Sequence, residues 1–387
     1  MKTKPTRFTG WAGKNLADSL ATRRRRATTA HGTRDGWEKH IVRIEALPVS
    51  VKPAASPRVI AAHLFCIVAD WPASLLWHDI SQISGTFMSK SRRFAMAQWD
   101  VFSSQPLEGN SLAVFFDARG LSDAEMQSIA KEMNLSETTF ILPRDAEIER
   151  ERGVRVRIFT VQEELPFAGH PTLGTAFALR GDSEAKDMTL DLNVGRVPVR
   201  FEDSTGQPVF GEMTQIEPVF GMQHDREAVA HAIGLRVDDF DASLPIETVS
   251  TGIPYTVVPL RSLPGIQELR VDLSRAQDYM AKTGGKFFYF VTRETIDPAA
   301  RLHARMLFYN GEDPATGSAA GCAAAWMVAH GVAMPDERVL IEQGIEMQRP
   351  SRIFVRASQQ NQNRDNRIVN VRVGGNAIEV MRAEVFL

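Results

Sequence analysis

The feature that most constrains the fold of this chain is a motif that occurs twice. The pattern polar-Pro-x-x-Gly-(Ser/Thr)-Ala is shared by HPTLGTA at residues 170–176 and DPATGSA at residues 313–319, which are 143 residues apart. Each copy opens a predicted helix of small residues, at 172–179 and 317–329. Each helix is followed by a predicted strand pair that turns at a glycine, Gly195 or Gly344. Matched neighbours on both sides indicate a duplicated architecture.

Both copies of the motif have the composition of an anion-binding helix start. Proline is tolerated at the first helical position because that N–H has no intrahelical partner. A helix N-terminus offers converging N–H donors and about half a positive charge. We therefore expect the N–H groups near Gly174 and Gly317 to bind a carboxylate or a developing oxyanion, with both termini facing one substrate. For either copy taken alone, a simple capped helix is the plainer interpretation.

Residues 96–387 alternate short apolar runs with helical patterns, which predicts a mixed α and β fold. The clearest helix begins at a capping box of Ser122 and Glu125 and ends near Asn134. Its predicted apolar face consists of Met126, Ile129, Ala130 and Met133. The other predicted elements are strands at 98–103, 111–116, 136–142, 154–160 and 305–309, a strand pair within 189–201, a turn at 109–110, a loop at 163–169, and a helix at 227–233 ended by Gly234.

The net charge of −2 is the sum of a basic segment and an acidic segment. Residues 1–95 contain 16 Lys and Arg against 6 Asp and Glu, whereas residues 96–387 contain 29 against 41. Four consecutive arginines at 23–26 and the lack of an apolar period predict a poorly ordered basic extension. A nucleic-acid arm, a targeting peptide, an inert extension and a true start at Met88 or Met96 all remain open. Charge runs are usually solvated, so we favour an inert extension.

Composition and motifs exclude several classes of protein. The length predicts two domains. Two cysteines, Cys66 and Cys322, cannot build a disulfide framework or a four-ligand zinc site, which fits a reducing, cytoplasmic compartment. The longest apolar run, residues 59–69, is too short to span a membrane. No dinucleotide fingerprint, phosphate loop or metal-ligand histidine pair is present, so we expect no cofactor, no metal and, for the acidic core, no nucleic-acid partner.

Six sequence motifs follow one another along residues 96–387. They are DVF at 100–102, PLEGN at 106–110, EMNLSETTF at 132–140, PFAGHPT at 166–172, GEDPATGSAAG at 311–321 and QGIEMQRPS at 343–351. In this order they resemble the PhzF-like family of isomerases, named for phenazine biosynthesis, within the diaminopimelate-epimerase superfamily. The resemblance implies an α+β fold of two pseudo-symmetric halves, each a curved β-sheet (a barrel-like roll) around a central helix, with the site between them and a homodimeric assembly. By this resemblance the first half spans 96–212 and is joined by 377–387, the second half spans 213–376, and residues 1–95 have no counterpart.

The resemblance also implies the chemistry. Superfamily racemases hold the substrate between two cysteines, and the corresponding positions here are Gly169 and Asp313, which excludes a two-cysteine racemase. The PhzF-like branch uses a glutamate instead, and the matching residue is Glu137. The implied reaction removes a proton from C3 of trans-2,3-dihydro-3-hydroxyanthranilate and delivers one to C1 with a double-bond shift. Glu137 can serve as both base and acid if burial or Asp313 raises its pKa.

The resemblance assigns further roles in the same cleft. His170 and Asp313 join Glu137 as catalytic residues, although a helix cap is the plain alternative for each. The expected substrate-binding residues are Ser318, Gly169, Gly174, Gly317 and Asn110, the last of which can equally belong to a hairpin turn. Three other functions remain open: a non-catalytic small-molecule-binding dimeric scaffold of the same fold, an epimerase that does not use cysteine, and a protein that acts through its basic arm.

Overall fold

The computed structural model describes residues 92–308, 311–362 and 365–387. The predictions made for residues 1–91, including the basic extension, lie outside the described residues. Seven α-helices are present in the described part, and all of them connect strands. The helices are α1 (Asp123–Met133), α2 (Ala146–Arg152), α3 (Gly169–Arg180), α4 (Arg226–Ile233), α5 (Leu263–Gln267), α6 (Leu273–Thr283) and α7 (Gly317–Ala329).

The first half of the fold is a curved sheet of eight successive strands. Its strands are β1 (Arg93–Val101), β2 (Asn110–Phe115), β3 (Glu137–Ile141), β4 (Val154–Phe159), β5 (Glu164–Leu165), β6 (Asp187–Leu192), β7 (Gly195–Glu202) and β8 (Phe210–Thr214). The β2–β3 and β4–β6 pairs are parallel, and each is bridged by a connection that contains a helix. The pairs β1–β2, β3–β4, β4–β5, β6–β7 and β7–β8 are antiparallel.

The second half repeats this pairing strand for strand. Its strands are β9 (Val219–Gln223), β10 (Glu247–Ser250), β11 (Pro254–Pro259), β12 (Phe287–Thr292), β13 (Ala300–Phe308), β14 (Gly311–Asp313), β15 (Val339–Gln343), β16 (Ser351–Gln362) and β17 (Asp365–Gly375). The β11–β12 and β13–β15 pairs are parallel, like their counterparts in the first half. The pairs β10–β11, β12–β13, β13–β14, β15–β16 and β16–β17 are antiparallel. The predicted pseudo-symmetry of the fold is confirmed.

Long-range strand pairs connect the two halves. The last strand, β18 (Ala377–Phe386), pairs with β1, just as β9 pairs with β10. Strand β8 pairs with β17, so one hydrogen-bonded ladder joins the two sheets. The predicted boundary between residues 212 and 213 lies inside β8.

Helices α3 and α7 are the central helices of the two halves. The sequence of α7, GSAAGCAAAWMVA, contains no charged residue, and all but the last of its side chains are buried. Helix α3 is buried along most of its length and packs against β1, β2, β6 and β8, whereas α7 packs against β10, β11, β16 and β17. Small residues in both helices permit this close approach of the surrounding sheets.

Local signals placed several elements correctly. The predicted capping box of α1 is present, with Ser122 N donating to Glu125 Oε2 (2.8 Å) and Glu125 N to Ser122 Oγ (3.3 Å). Met126, Ile129 and Ala130 are buried beneath it. The predicted loop at 163–169 contains the short strand β5, which was missed.

One of the two helix starts was predicted wrongly: α3 was expected to begin at Thr172, whereas α7 spans Gly317–Ala329 as predicted. Helix α3 begins at Gly169, two residues before Pro171, and α7 begins at Gly317, three residues after Pro314. The residue that caps α7 is Thr316, whereas Asp313 belongs to β14, so Asp313 is not the helix cap. Proline fits both the first turn of a helix and the segment before it, and its position therefore does not fix the helix start. Across the described ranges, no helix is both long and apolar enough to cross a membrane.

Candidate active site

The N-termini of α3 and α7 meet at Gly169 and Gly317. A Cβ atom placed on Gly169 would lie only 2.4 Å from Gly317 C and from Ser318 N, so the two backbones touch here. Among the residues that the structure describes, the N–H groups of Gly169, His170, Gly317 and Ser318 have no acceptor. Four free donors at two facing helix termini form a site for a carboxylate or an oxyanion.

A cavity of about 380 Å³ lies at this junction. Its polar lining contributes two carboxyl groups, one imidazole and four hydroxyl-bearing residues beside the helix termini. The rest of the lining is apolar and includes two phenylalanine rings that meet edge to face. The lining residues are Glu137, Thr160, Leu165, Ala168, Gly169, His170, Tyr255, Phe287, Met306, Phe308, Asp313, Thr316, Gly317 and Ser318. This division suits a small ring that carries an anionic group.

Glu137 is the first residue of β3 and projects into this cavity. Helix α1 ends at Asn134 in the left-handed conformation, and the chain turns there into β3, which pairs in parallel with β2. The side chain of Glu137 is 12% exposed, and its Oε2 has no hydrogen-bond partner in the described part of the chain. His170 Nδ1 lies 3.6 Å from that atom. Burial raises the pKa of Glu137 well above its ordinary value, and the charge of Asp313 raises it further.

Asp313 lines the same cavity but has a different environment. Its Oδ1 accepts hydrogen bonds from Asn110 Nδ2 (2.7 Å) and Ser136 Oγ (2.8 Å), and its Oδ2 accepts one from Thr316 Oγ1 (2.6 Å). Burial raises the pKa of Asp313 to about 6, and these three donors oppose the shift. The two carboxyl groups are thus distinguished by their donors: Asp313 is stabilised as the carboxylate, and Glu137 keeps its proton to higher pH.

His170 is the second residue of α3 and is buried. Burial lowers the pKa of its imidazole to about 3, so the ring is neutral at neutral pH. Its Nδ1 lies 3.1 Å from Asn110 Nδ2, and its Nε2 has no partner among the described residues. A neutral imidazole with one unpaired nitrogen can bind a polar group of the substrate or relay a proton.

Ser318 lies in the first turn of α7, as predicted. Its Oγ is 2.9 Å from the hydroxyl of Tyr255, and both residues line the cavity. Burial is the main reason why the pKa of Tyr255 lies well above its ordinary value, so its phenol stays protonated. A pair of hydroxyl groups therefore borders the cavity beside the N–H groups of the two helices.

Two predicted substrate-binding residues do not line the cavity. Gly174 is the sixth residue of α3, beyond the free N–H groups, and a Cβ atom there would lie 2.6 Å from Val101 Cγ2. Asn110 is only 1% exposed, and its Nδ2 donates to Asp313 Oδ1 and to the Ala315 carbonyl (2.9 Å). The structure thus places Gly174 in the packed core and Asn110 behind Asp313.

Sequence reasoning missed the buried glutamines that hold the site together. Gln343 Nε2 donates to the Asp313 carbonyl (2.8 Å) and to Thr316 Oγ1 (3.0 Å), and its Oε1 accepts from Thr316 N (3.2 Å). Gln215 Nε2 donates to the Gly317 carbonyl (3.0 Å). Gln343 opens the last quoted motif, and that position was its only signal.

Arg349, in the same motif, has a structural role. Its Nε donates to the Gly109 carbonyl (2.7 Å), and its Nη2 donates to Asp100 Oδ1 (2.8 Å) and the Glu108 carbonyl (2.8 Å). It therefore connects the loop after β15 to the β1–β2 turn. Within the described ranges, no group of three or more His, Cys, Asp or Glu side chains is arranged to bind a metal ion.

The two carboxyl groups predict a pH shift. Replacing Asp313 by Asn removes the charge that raises the pKa of Glu137, so Glu137 is expected to titrate at lower pH. Carbon-13 NMR of protein labelled at the glutamate carboxyl groups measures this directly, with the resonance assigned from the Glu137→Gln variant. The control Asp117→Asn removes an exposed carboxyl paired with Arg119 and should leave the Glu137 titration unchanged. An upward shift, or none, in the Asp313→Asn variant would contradict the electrostatic assignment.

The fold and the site define the class to which the protein belongs. The family model described as "Phenazine biosynthesis-like protein" matches residues 99–383, and the chain belongs to this family. The resemblance predicted from the motifs is confirmed.

Individual proteins of this family are similar to the chain in sequence and in structure. The chain is 35% identical over 293 residues to the trans-2,3-dihydro-3-hydroxyanthranilate isomerase of Pseudomonas chlororaphis, covering 74% of this chain and 98% of that protein. It is also 35% identical over 303 residues to an uncharacterized isomerase of Mesorhizobium japonicum, covering 75% and 97%. A Bacillus anthracis phenazine biosynthesis protein of the PhzF family has a similar structure, with a TM-score of 0.68 at 27% identity, covering 76% of this chain and 100% of that one. The protein is an isomerase.

Proposed function

We propose that this isomerase moves a proton between two carbons of a small, anionic, cyclic substrate, with a shift of a double bond and without a cofactor. The observation that carries the proposal is the pair of buried carboxyl groups beside the two helix termini. Within the described ranges one carboxyl group has three hydrogen-bond donors and the other has none, and four backbone N–H groups next to them are unpaired. The named Pseudomonas relative suggests trans-2,3-dihydro-3-hydroxyanthranilate as the substrate.

The arrangement supports a mechanism with one acid–base group. The substrate carboxylate binds the N–H groups at the starts of α3 and α7, and its ring lies against the apolar wall. The carboxylate form of Glu137 removes the proton from C3, and the electron pair of the broken C–H bond forms a ring double bond. The existing double bonds shift, and the protonated Glu137 then delivers a proton to C1. The charge of Asp313 keeps the pKa of Glu137 high enough for it to serve as an acid.

The proposal is tested by turnover of trans-2,3-dihydro-3-hydroxyanthranilate in deuterated water. We expect part of the isomerised product to carry deuterium at C1, because the proton that Glu137 takes from C3 can exchange with solvent before it is delivered to C1. Mass spectrometry and NMR of the product locate the label. A matched control is Glu132→Gln, which changes an exposed carboxyl on α1 and should turn over normally.

The same experiment separates the alternatives. An epimerase that does not use cysteine would exchange one substrate hydrogen and invert that centre without shifting a double bond. A non-catalytic binding scaffold would gain thermal stability when the compound is added but would leave the compound unlabelled. Either pattern would contradict the proposed reaction.

The proposal extends to the surroundings of the enzyme. We place it in the cytoplasm as a homodimer whose partner is a small anionic metabolite rather than nucleic acid. The described cysteine, Cys322, is buried and free, and burial raises the pKa of its thiol to about 11, so this cysteine does not serve as a thiolate base.

A further inference from the structure

A second cavity lies next to Asp313. It has a volume of about 880 Å³, more than twice that of the candidate active site, and it opens more widely to solvent. Ser136, Asn110 and Pro314 line it, but Asp313 and Glu137 do not. The active-site cavity in turn contains Asp313 but not Ser136. Asp313 therefore faces the active-site cavity, and two of its hydrogen-bond donors, Asn110 and Ser136, border the second cavity.

The three hydrogen-bond donors to Asp313 differ in whether they connect its carboxyl group to solvent. Asn110 donates through an amide, which does not exchange its proton readily with a carboxylate. Thr316 Oγ1 is itself the acceptor of Gln343 Nε2 (3.0 Å), and Gln343 is fully buried, so this branch ends in the core. Ser136 Oγ donates to Asp313 Oδ1 (2.8 Å) and borders the open cavity, and a hydroxyl both donates and accepts. Among these three donors, Ser136 alone joins Asp313 to the second cavity through a proton-exchanging group.

We infer that Ser136 is a proton relay between bulk water and the two active-site carboxyl groups, with the second cavity as its channel to solvent. This inference rests on the proposed function. After Glu137 has taken the substrate proton, that proton passes within the active-site cavity to Asp313. Asp313 releases it to Ser136 Oγ while the Ser136 hydroxyl proton moves to water in the second cavity, and the reverse sequence brings in a solvent proton. No bond other than O–H bonds forms or breaks.

The relay determines how much of the substrate hydrogen survives turnover. If exchange through Ser136 competes with delivery to C1, part of the original hydrogen is lost to water and part reappears in the product. Removing the relay hydroxyl slows the exchange, so more of the original hydrogen should be retained. A residue with only a structural role changes the rate without changing this partition.

The test uses substrate deuterated at C3 and turned over in ordinary water by the full-length protein. We expect wild type to retain part of the deuterium at C1, and Ser136→Ala to raise the retained fraction about twofold or more. Thr316→Val is the matched comparison, because it also removes one hydroxyl donor to Asp313 but leaves the solvent branch intact, so its retained fraction should rise less than that of Ser136→Ala. Ser136→Thr keeps a hydroxyl and should restore wild-type retention even if Ser136→Ala folds poorly.

The possible outcomes distinguish failure of the proposed relay from failure of the proposed reaction. Equal retention in Ser136→Ala and wild type, or an equal rise in Thr316→Val, would overturn the relay while turnover itself upholds the proposed function. Complete retention, or complete loss, in both wild type and Ser136→Ala would also overturn it. Lack of turnover by wild type would reject the proposed function and the relay together.

Discussion

The Glu137→Gln variant is expected to lose about 10²–10⁴-fold in turnover, the range by which a positioned acid–base group accelerates proton transfer. Glutamine fills the same space but can neither take nor return a proton, so hydrogen exchange at the substrate should fall with turnover. Deuterium uptake from solvent measures both. The exposed carboxyl of Glu132 provides the control, since Glu132→Gln should keep wild-type exchange. Exchange at the wild-type rate in Glu137→Gln would show that another group is the base.

The same variant is expected to be more stable than wild type above pH 5. The pKa of Glu137 is raised in the folded protein, so the folded state holds this proton more tightly than the unfolded state does. Stability therefore falls as pH rises from the unfolded pKa of about 4.3 towards the folded pKa, and the penalty persists above it. Glutamine removes the penalty. Urea unfolding at pH 5 and pH 8 should show the difference between variant and wild type growing with pH.

What the sequence could predict about the fold depended on local signals. The capping box of Ser122 and Glu125 predicted α1 because both partners lie within one turn of each other. The repeated motif predicted the two central helices because its composition of small residues recurs. It misplaced the start of α3 because it aligned Gly174 with Gly317, whereas Gly169 is the glycine that meets Gly317 in space. A contact between residues that are 148 positions apart cannot be predicted from a motif of seven residues.

Of the site, only the titratable residues could be predicted from the sequence. Glu137, His170 and Asp313 came from the resemblance, and the structure brings all three to one cavity. Which carboxyl keeps its proton depends on Ser136, Asn110 and Thr316, and these donors are selected by the tertiary fold. The hydrogen bonds of Gln343 to Asp313 and Thr316 could not be predicted either, because a side-chain amide is directed to such partners only when burial leaves it no water to bind.

The Gly169→Ala variant is expected to lose about 10²-fold in turnover, because displacing the helix N-termini by about 1 Å misplaces the bound substrate. Its new Cβ atom would lie 2.4 Å from the backbone of Gly317 and Ser318, and backbone cannot rotate aside. Alanine is the better helix former, so helix propensity alone would stabilise the variant. The clash should outweigh that gain and cost about 1–3 kcal/mol of stability, as overpacking does. Turnover and urea unfolding measure the two effects.

Two other glycines test whether the helix contact causes the loss. Gly317→Ala places its Cβ atom 2.9 Å from the ring of Phe102 and 3.2 Å from Gly169 C, which are longer contacts than the 2.4 Å of Gly169→Ala, so its losses should be smaller. Gly265→Ala, in α5, meets only the Ser262 hydroxyl at 3.2 Å and should leave turnover unchanged. The order of the three losses follows from what each methyl group meets. Equal losses in Gly169→Ala and Gly265→Ala would mean that the paired helix ends do not hold the substrate. A cysteine at Gly169 would meet the same backbone, which is a steric reason why this position of the cleft carries no thiol.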